Sequence, residues 1–171
     1  GLGDTANRSS PVQVGALTTW TSAVGEAALL AIKSDGTIWS WGLNSDGQLG
    51  LGDVANRSSP VQVGSLTTWT SVCGNGDHFL ALKSDGTLWV WGQNANGILG
   101  LGDTAKRSSP VQVGTLTTWT SIFGGGSHTS ALQSDGTLWS WGYNNFGLLG
   151  LGDLGHRSSP VQVGTLTTWT A

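Results

Sequence analysis

Three histidines, a single cysteine and ten acidic side chains are the first places to look for proton transfer, thiolate attack or metal ligation. His78 and His128 each open an alternating apolar run after a glycine-rich turn, where an imidazole could serve as a base or a ligand. The first copy of that segment carries Ala27 and Ala28 instead, which favours a structural ring that holds its turn by a hydrogen bond. His156 aligns with Asn7, Asn56 and Lys106, the pattern of an exposed loop position that tolerates any polar group. Cys73 is alone, so the chain forms no internal disulfide and no cysteine-based zinc site; its counterpart Phe123 marks it as a small apolar filler. The carboxylates recur singly at turns rather than in the pairs that acid–base chemistry uses. Residues 44–47, Asn-Ser-Asp-Gly, look like the start of a calcium loop but lack its first aspartate and its closing bidentate glutamate. The string GLGD returns once in about 50 residues, not every nine as in calcium-binding glycine repeats. Asp53, Asp103 and Asp153 are expected to cap loops through their own backbone. No phosphate-cradling GxxxxGK[ST] and no GxSxG elbow occurs. The sequons at Asn7 and Asn56 are lost at Lys106 and His156, which argues against a built sugar site. No catalytic residue, metal site or cofactor is assigned.

The elements that would hold such groups are written in an unusual composition. Of 171 residues, 28 are glycine and 10 tryptophan, and only 10% are charged; ordinary domains have about 7% glycine and about 25% charge. With 37% hydrophobic residues the chain is no disordered polar tract. No apolar run approaches the roughly 18 residues of a membrane helix, so no membrane partner is expected. Net charge is −3 and the seven basic residues are scattered, so no nucleic-acid stripe forms. A chain opening at Gly1 without methionine reads as a processed or trimmed product, or as a piece of something longer. Few charges, many Ser and Thr and one cysteine are compatible with an extracellular or virion-surface setting.

A repeat explains the composition. RSSPVQVG occurs four times, with its proline at Pro11, Pro60, Pro110 and Pro160. The chain reads as one array, 1–171, of units 1–49, 50–99 and 100–149 and a partial unit 150–171; 35 of 50 positions are identical between the second and third units. Each unit holds four short apolar runs, in the second PVQV (60–63), WTSVC (69–73), HFLALKS (78–84) and TLWVWG (87–92). The Asp-Gly of SDGT between the last two predicts a tight hairpin with both turn residues at positive φ. Runs apolar on both faces suit sheets packed between sheets. The fold class is therefore all-β: a β-propeller of four-stranded blades, about three per chain and thus partial. Trp39, Trp41, Trp89, Trp91, Trp139 and Trp141 are read as structural packing, the main inter-blade cement.

WGxNxxGxLGLGD, at residues 41–53, 91–103 and 141–153, resembles the hallmark of regulator of chromosome condensation repeats, as do PVQVG, the LxSDGT-L-W hairpin and the GxxH of residues 125–128. The resemblance spans essentially the whole chain. It implies a propeller of four-stranded blades, usually seven to a ring, with the glycine-rich segment as an inter-blade loop. That family includes guanine-nucleotide exchange factors, a plant UV-B photoreceptor and bacterial β-lactamase-inhibiting propellers. Asn75 replaces the GxxH glycine in the second unit, and the residues before His78 and His128 are Gly76-Asp77 and Gly126-Ser127, without the photoreceptor family's tryptophan.

Differences between copies collect in the loop after WG and in residues 25–29, 73–80 and 123–130. Since loops on a rigid scaffold carry function, Leu43, Asp46, Gln93, Asn96, Tyr143 and Phe146 form the candidate binding surface, with Tyr143 and Phe146 its anchors. The expected function is a non-enzymatic structural or protein-binding scaffold, self-assembling; the alternative is a regulatory binder, such as an exchange factor or enzyme inhibitor, acting through its loops. Three blades cannot close where propellers use about 4–8. The expected partner is therefore the chain itself, most simply as a dimer of about six blades, or further repeats of a longer chain. Segments 1–19 and 150–168 compete for one structural role.

Overall fold

The computed structural model describes residues 1–16 and 18–171; Leu17 lies outside them. Among the described residues, twelve strands form three separate four-stranded antiparallel meanders. The first blade comprises β1 (Trp20–Gly25), β2 (Ala28–Lys33), β3 (Ile38–Gly42) and β4 (Arg57–Gln62). The second comprises β5 (Trp69–Gly74), β6 (His78–Lys83), β7 (Leu88–Gly92) and β8 (Arg107–Gln112), with a 3-10 turn at Ala95–Gly97. The third comprises β9 (Trp119–Gly124), β10 (His128–Gln133), β11 (Leu138–Gly142) and β12 (Arg157–Gln162). Contacts between blades concentrate on β1, β5 and β9 and the strands paired with them, so the blades converge at their first strands.

Blades and sequence repeats are out of phase. Each RSSPVQ is the last strand of the blade begun in the preceding repeat, pairing back across the long glycine-rich loop: Trp39 faces Gln62 and Trp139 faces Gln162. The terminal segments therefore do not compete for one place. Residues 157–162 complete the third blade, whereas the first RSSPVQ, residues 8–13, has no preceding meander and forms no strand. Residues 1–3 still lie on the first blade as an inter-blade loop would: Gly3 N–H donates to Ser58 O at 2.9 Å, matching Gly52 to Ser108 and Gly102 to Ser158, both 2.7 Å. The residue missing from the first unit falls in the β1–β2 turn, which has two residues between Gly25 and Ala28 against three between Gly74 and His78.

The SDGT hairpins differ from the two-residue turn expected of Asp-Gly. Asn96 is the one non-glycine residue at positive φ among those described, so Asp35 does not adopt it. Lys33 N–H bonds Thr37 O at 3.0 Å, closing a three-residue loop in which only Gly36 takes the left-handed conformation, φ 76°. The Asp35 carboxylate accepts from the Thr37 backbone N–H (3.0 Å) and hydroxyl (2.7 Å), and that hydroxyl accepts the Trp39 indole N–H (2.9 Å). Those bonds hold the Asp35 carboxyl below its ordinary range, as they do Asp85 and Asp135. A methyl at Gly36 would stand 2.1 Å from Thr67 O, so the turn also needs glycine to approach the segment leading into the next blade.

The core lies in the two seams. Leu30, Ile38, Leu49 and Val63 of the first blade meet Trp69, Val72, Phe79 and Trp91 of the second. Leu80, Leu88, Val90, Leu99 and Val113 of the second meet Trp119, Ile122 and Trp141 of the third. One face of the middle sheet thus looks back and the other forward, which is why its strands are apolar on both sides.

Candidate functional site

The loops 43–56, 93–106 and 143–156 join the third and fourth strands of successive blades, and the first two lie on the outer strand of the blade that follows. Each is organised by a fully buried asparagine. The Asn44 amide donates to Asp53 O (3.0 Å), the Asp53 carboxylate (3.1 Å) and Ala55 O (3.0 Å), while its carbonyl accepts Leu49 N–H (2.9 Å). Asn94 and Asn144 repeat the arrangement. The Asp53 carboxylate caps Ala55 N–H (3.0 Å) and pairs with Arg57 (2.6 Å), which holds its carboxyl below the usual range. Of the residues that look like the start of a calcium loop, Asn44 is therefore spent on the loop's own backbone and the Asp46 carboxylate pairs with Lys106, and the described residues include no cluster of three His, Cys, Asp or Glu.

Family models of the regulator of chromosome condensation (RCC1) repeat match residues 35–82, 85–132 and 135–170, and a second model of the same repeat matches 69–98 and 119–148. The chain belongs to the RCC1 repeat family. Among solved structures it resembles human WBSCR16 (25% identity, TM-score 0.75, 85% of this chain and 38% of that one). It also resembles Prp20p of Saccharomyces cerevisiae, whose structure was described with its binding to Gsp1p and histones (23%, 0.79, 90% and 40%), and yeast RCC1 (Prp20) in complex with Kap60 (23%, 0.78, 90% and 38%). The chain spans about two-fifths of the length of these proteins. No curated protein matches it.

The six candidate binding residues of this RCC1-repeat chain are distributed over its three loops. Leu43 is exposed; Asp46 is half-buried and pairs with Lys106 of the next blade. Gln93 is half-buried and Asn96 sits in the 3-10 turn at φ 57°. The third loop alone gathers its members: Tyr143 stacks on His156 (centroids 5.0 Å, 29° between planes) and meets Phe146 edge-on at 6.1 Å. Phe146 is 81% exposed, the largest value among the exposed hydrophobic residues. His156 does more than tolerate solvent: its Nδ1 accepts the Asn144 backbone N–H at 3.1 Å, as Asn56 Oδ1 does for Asn44 at 2.8 Å. Lys106 has no acceptor to offer and bridges to Asp46 instead.

His78 and His128 start β6 and β10, paired with Gly92 and Gly142; Ala28 stands at the same place against Gly42. The expected ring hydrogen bond is missing at His78: both nitrogens are buried without a partner among the described residues. Burial, and next the nearby His128, push it down to about 4, so it is neutral near neutrality. Cys73 is half-buried, and its Sγ accepts Gly124 N–H (2.8 Å) across the second seam. The grooves beside the seams, about 530 Å³ each, are two copies of one shape, lined by Arg57, Trp69, Trp89 and Pro110 or by Arg107, Trp119, Trp139 and Pro160.

The indoles of Trp41, Trp91 and Trp141 are buried, while Trp39, Trp89 and Trp139 are half-buried. Sequence reasoning passed over their third companions, Trp20, Trp69 and Trp119. Trp69 meets Trp89 at 6.1 Å and Trp91 at 6.4 Å, and the other blades do likewise. Lys33 and Lys83 lie over these clusters, 3.8 Å from the Trp39 ring and 3.6 Å from Trp89; Gln133 replaces them in the third blade. The loop asparagines were also missed, although their identity in all three copies amid changing neighbours was the signal. Asn144→Ala leaves the buried Leu149 N–H without its partner and is expected to cost about 2 kcal/mol. Urea unfolding would read the cost, and faster amide exchange confined to residues 143–156 would show the loop loosening.

Proposed function

We propose that the chain is a non-enzymatic RCC1-repeat scaffold that binds a protein partner through its loop edge, with Tyr143 and Phe146 as the anchors. The observation that carries the reading is an exposed phenyl ring, Phe146, beside a Tyr143–His156 stack on a loop pinned by a buried asparagine. Aromatic side chains already held in place lose little freedom on binding, and such residues dominate contact energies. The binding described for Prp20p, to Gsp1p and histones and to Kap60, supports a protein as the partner.

Two immobilised forms of the chain test this, the natural one and Tyr143→Ala/Phe146→Ala. Both are expected to keep the same circular dichroism, because Phe146 is largely in solvent. A protein captured from the source proteome should be lost at least about tenfold from the double variant, each hot-spot truncation costing on the order of 2 kcal/mol. Equal capture by the two forms would reject the loop edge as the binding surface.

A further inference from the structure

Two of the three blades fill their tryptophan cluster with a cation of their own. Lys33 Nζ lies 5.0 Å from the centre of the Trp20 ring and 3.8 Å from that of Trp39. Lys83 Nζ lies 4.9 Å from Trp69 and 3.6 Å from Trp89. The paired indoles meet edge-on in both blades, 6.3 Å and 6.1 Å apart. Among the described residues neither lysine is paired with a carboxylate, so the rings themselves hold the ammonium.

The third blade keeps the cluster and loses the cation. Trp119 and Trp139 meet edge-on at 6.2 Å. The register that pairs Lys33 with Trp20 and Lys83 with Trp69 pairs Gln133 with Trp119. Gln133 is neutral and shorter than lysine. It is 8% exposed; its Oε1 accepts the Thr118 hydroxyl at 3.2 Å, and its Nε2 is buried without a partner among the described residues. Neither lysine leaves such an atom, so packing inside the blade does not account for the exchange. Trp119 and Trp139 also line the groove of about 530 Å³ between the second and third blades. Residue for residue that lining is the one around Trp69 and Trp89 moved by 50 positions, so the two grooves differ in the residue beside their indoles, Lys83 or Gln133.

We propose that the Trp119–Trp139 cluster binds an alkylammonium ion, a methylated amine above all, from outside the chain, where the first two blades supply Lys33 and Lys83. The chemistry of the groove selects that ligand. Arg107 on its wall is neutralised by Asp103 at 2.6 Å, and among the described residues no carboxylate lines it. Attraction then comes from the ring faces, which favours a large, weakly hydrated cation over a compact, strongly hydrated one. In the first groove Lys83 already places its charge on the equivalent rings and repels a second cation. The site is separate from the Tyr143–His156 stack and independent of its role.

Two-dimensional NMR of the ten tryptophan indole N–H groups tests the proposal on the full chain. The probes are choline, an acetylated and amidated trimethyllysine, and 3,3-dimethyl-1-butanol, the uncharged isostere of choline. An ammonium should shift Trp119 and Trp139 and leave Trp69 and Trp89 in place, with an affinity of about 1–10 mM and at least about tenfold weaker binding of the alcohol. Gln133→Lys should abolish the shifts with unchanged circular dichroism, since it restores the residue the other two blades carry. Lys83→Gln should create a second site, read as new shifts of Trp69 and Trp89. Tighter binding of trimethyllysine supports a protein side chain as the source, and tighter binding of choline a free amine. No shift with either ammonium, equal binding of the alcohol, undiminished binding to Gln133→Lys, or no second site in Lys83→Gln would each overturn it.

Discussion

Trp91→Ala is expected to lower the unfolding free energy by about 4 kcal/mol, near the top of what a buried aromatic truncation costs. Trp91 is fully buried in the first seam, packed with Trp69 and Phe79 and covered by Gly50. Its removal opens a cavity on residues of both blades and takes the donor from Gln48 O, whose neighbouring Gln48 amide already has an unpartnered buried nitrogen. Trp91→Phe keeps most of the ring and loses chiefly the hydrogen bond, so its cost is about 1–2 kcal/mol. Trp141→Ala, in the equivalent second seam, should match Trp91→Ala. Trp41 is covered on its outer side by Gly1 and the exposed opening segment, and its removal should cost about 1 kcal/mol less. Because a repeat array holds together through nearest-neighbour seams, Trp91→Ala should also separate unfolding of the first blade from that of the other two. Urea titrations followed by circular dichroism would read both effects. Equal losses at all three tryptophans, with one transition throughout, would contradict this account of the seams.

Much of that architecture could be read from the residues, and the exceptions have physical causes. TLWVWG and HFLALKS alternate around a turn, and their repetition is enough to infer antiparallel meanders stacked face to face. The phase of the blades was hidden because RSSPVQ lies closer in sequence to the following Trp69 than to Trp39, its partner across a 14-residue loop. Nearness along the chain favoured the wrong neighbour, and only the pairing of Trp39 with Gln62 decides it. The SDGT turn falls where its residues predict, with different dihedrals. Asp-Gly suits a two-residue loop, yet the bonds from Thr37 to the Asp35 carboxylate select the three-residue one. Tyr143 and Phe146 stood out as the only aromatic pair among the loop substitutions. Their stacking partner was obscured because His156 sits 13 residues from Tyr143, at a position whose other occupants share only polarity.

Acid should destabilise the fold in a window set by His78. Its ring is buried with both nitrogens unpartnered, and its pKa is pushed down to about 4 from an ordinary value of 6.5. Below pH 6.5 the unfolded chain takes up a proton that the folded chain refuses until about pH 4. Unfolding is then coupled to proton binding, so stability is fully present above 6.5, falls as pH drops toward 4, and levels below that. The whole step is about 3 kcal/mol, because each tenfold loss of proton affinity on folding corresponds to about 1.4 kcal/mol. The carboxylates that cap the turns and loops, among them Asp35 and Asp53, lie below their ordinary 3.8, so their contribution fades as pH falls from about 5 through that value and overlaps only the acid end of this window. The first blade supplies the control: Ala28 occupies the corresponding place and is fully buried. His78→Ala should therefore remove the slope between pH 6.5 and about 5, above the range where the carboxylates titrate, while leaving the decline at lower pH, whatever the cavity costs at pH 7. Urea midpoints of the natural chain and His78→Ala across pH 3.5–7.5 would test this; a slope that persists in the variant would assign the acid sensitivity to another group.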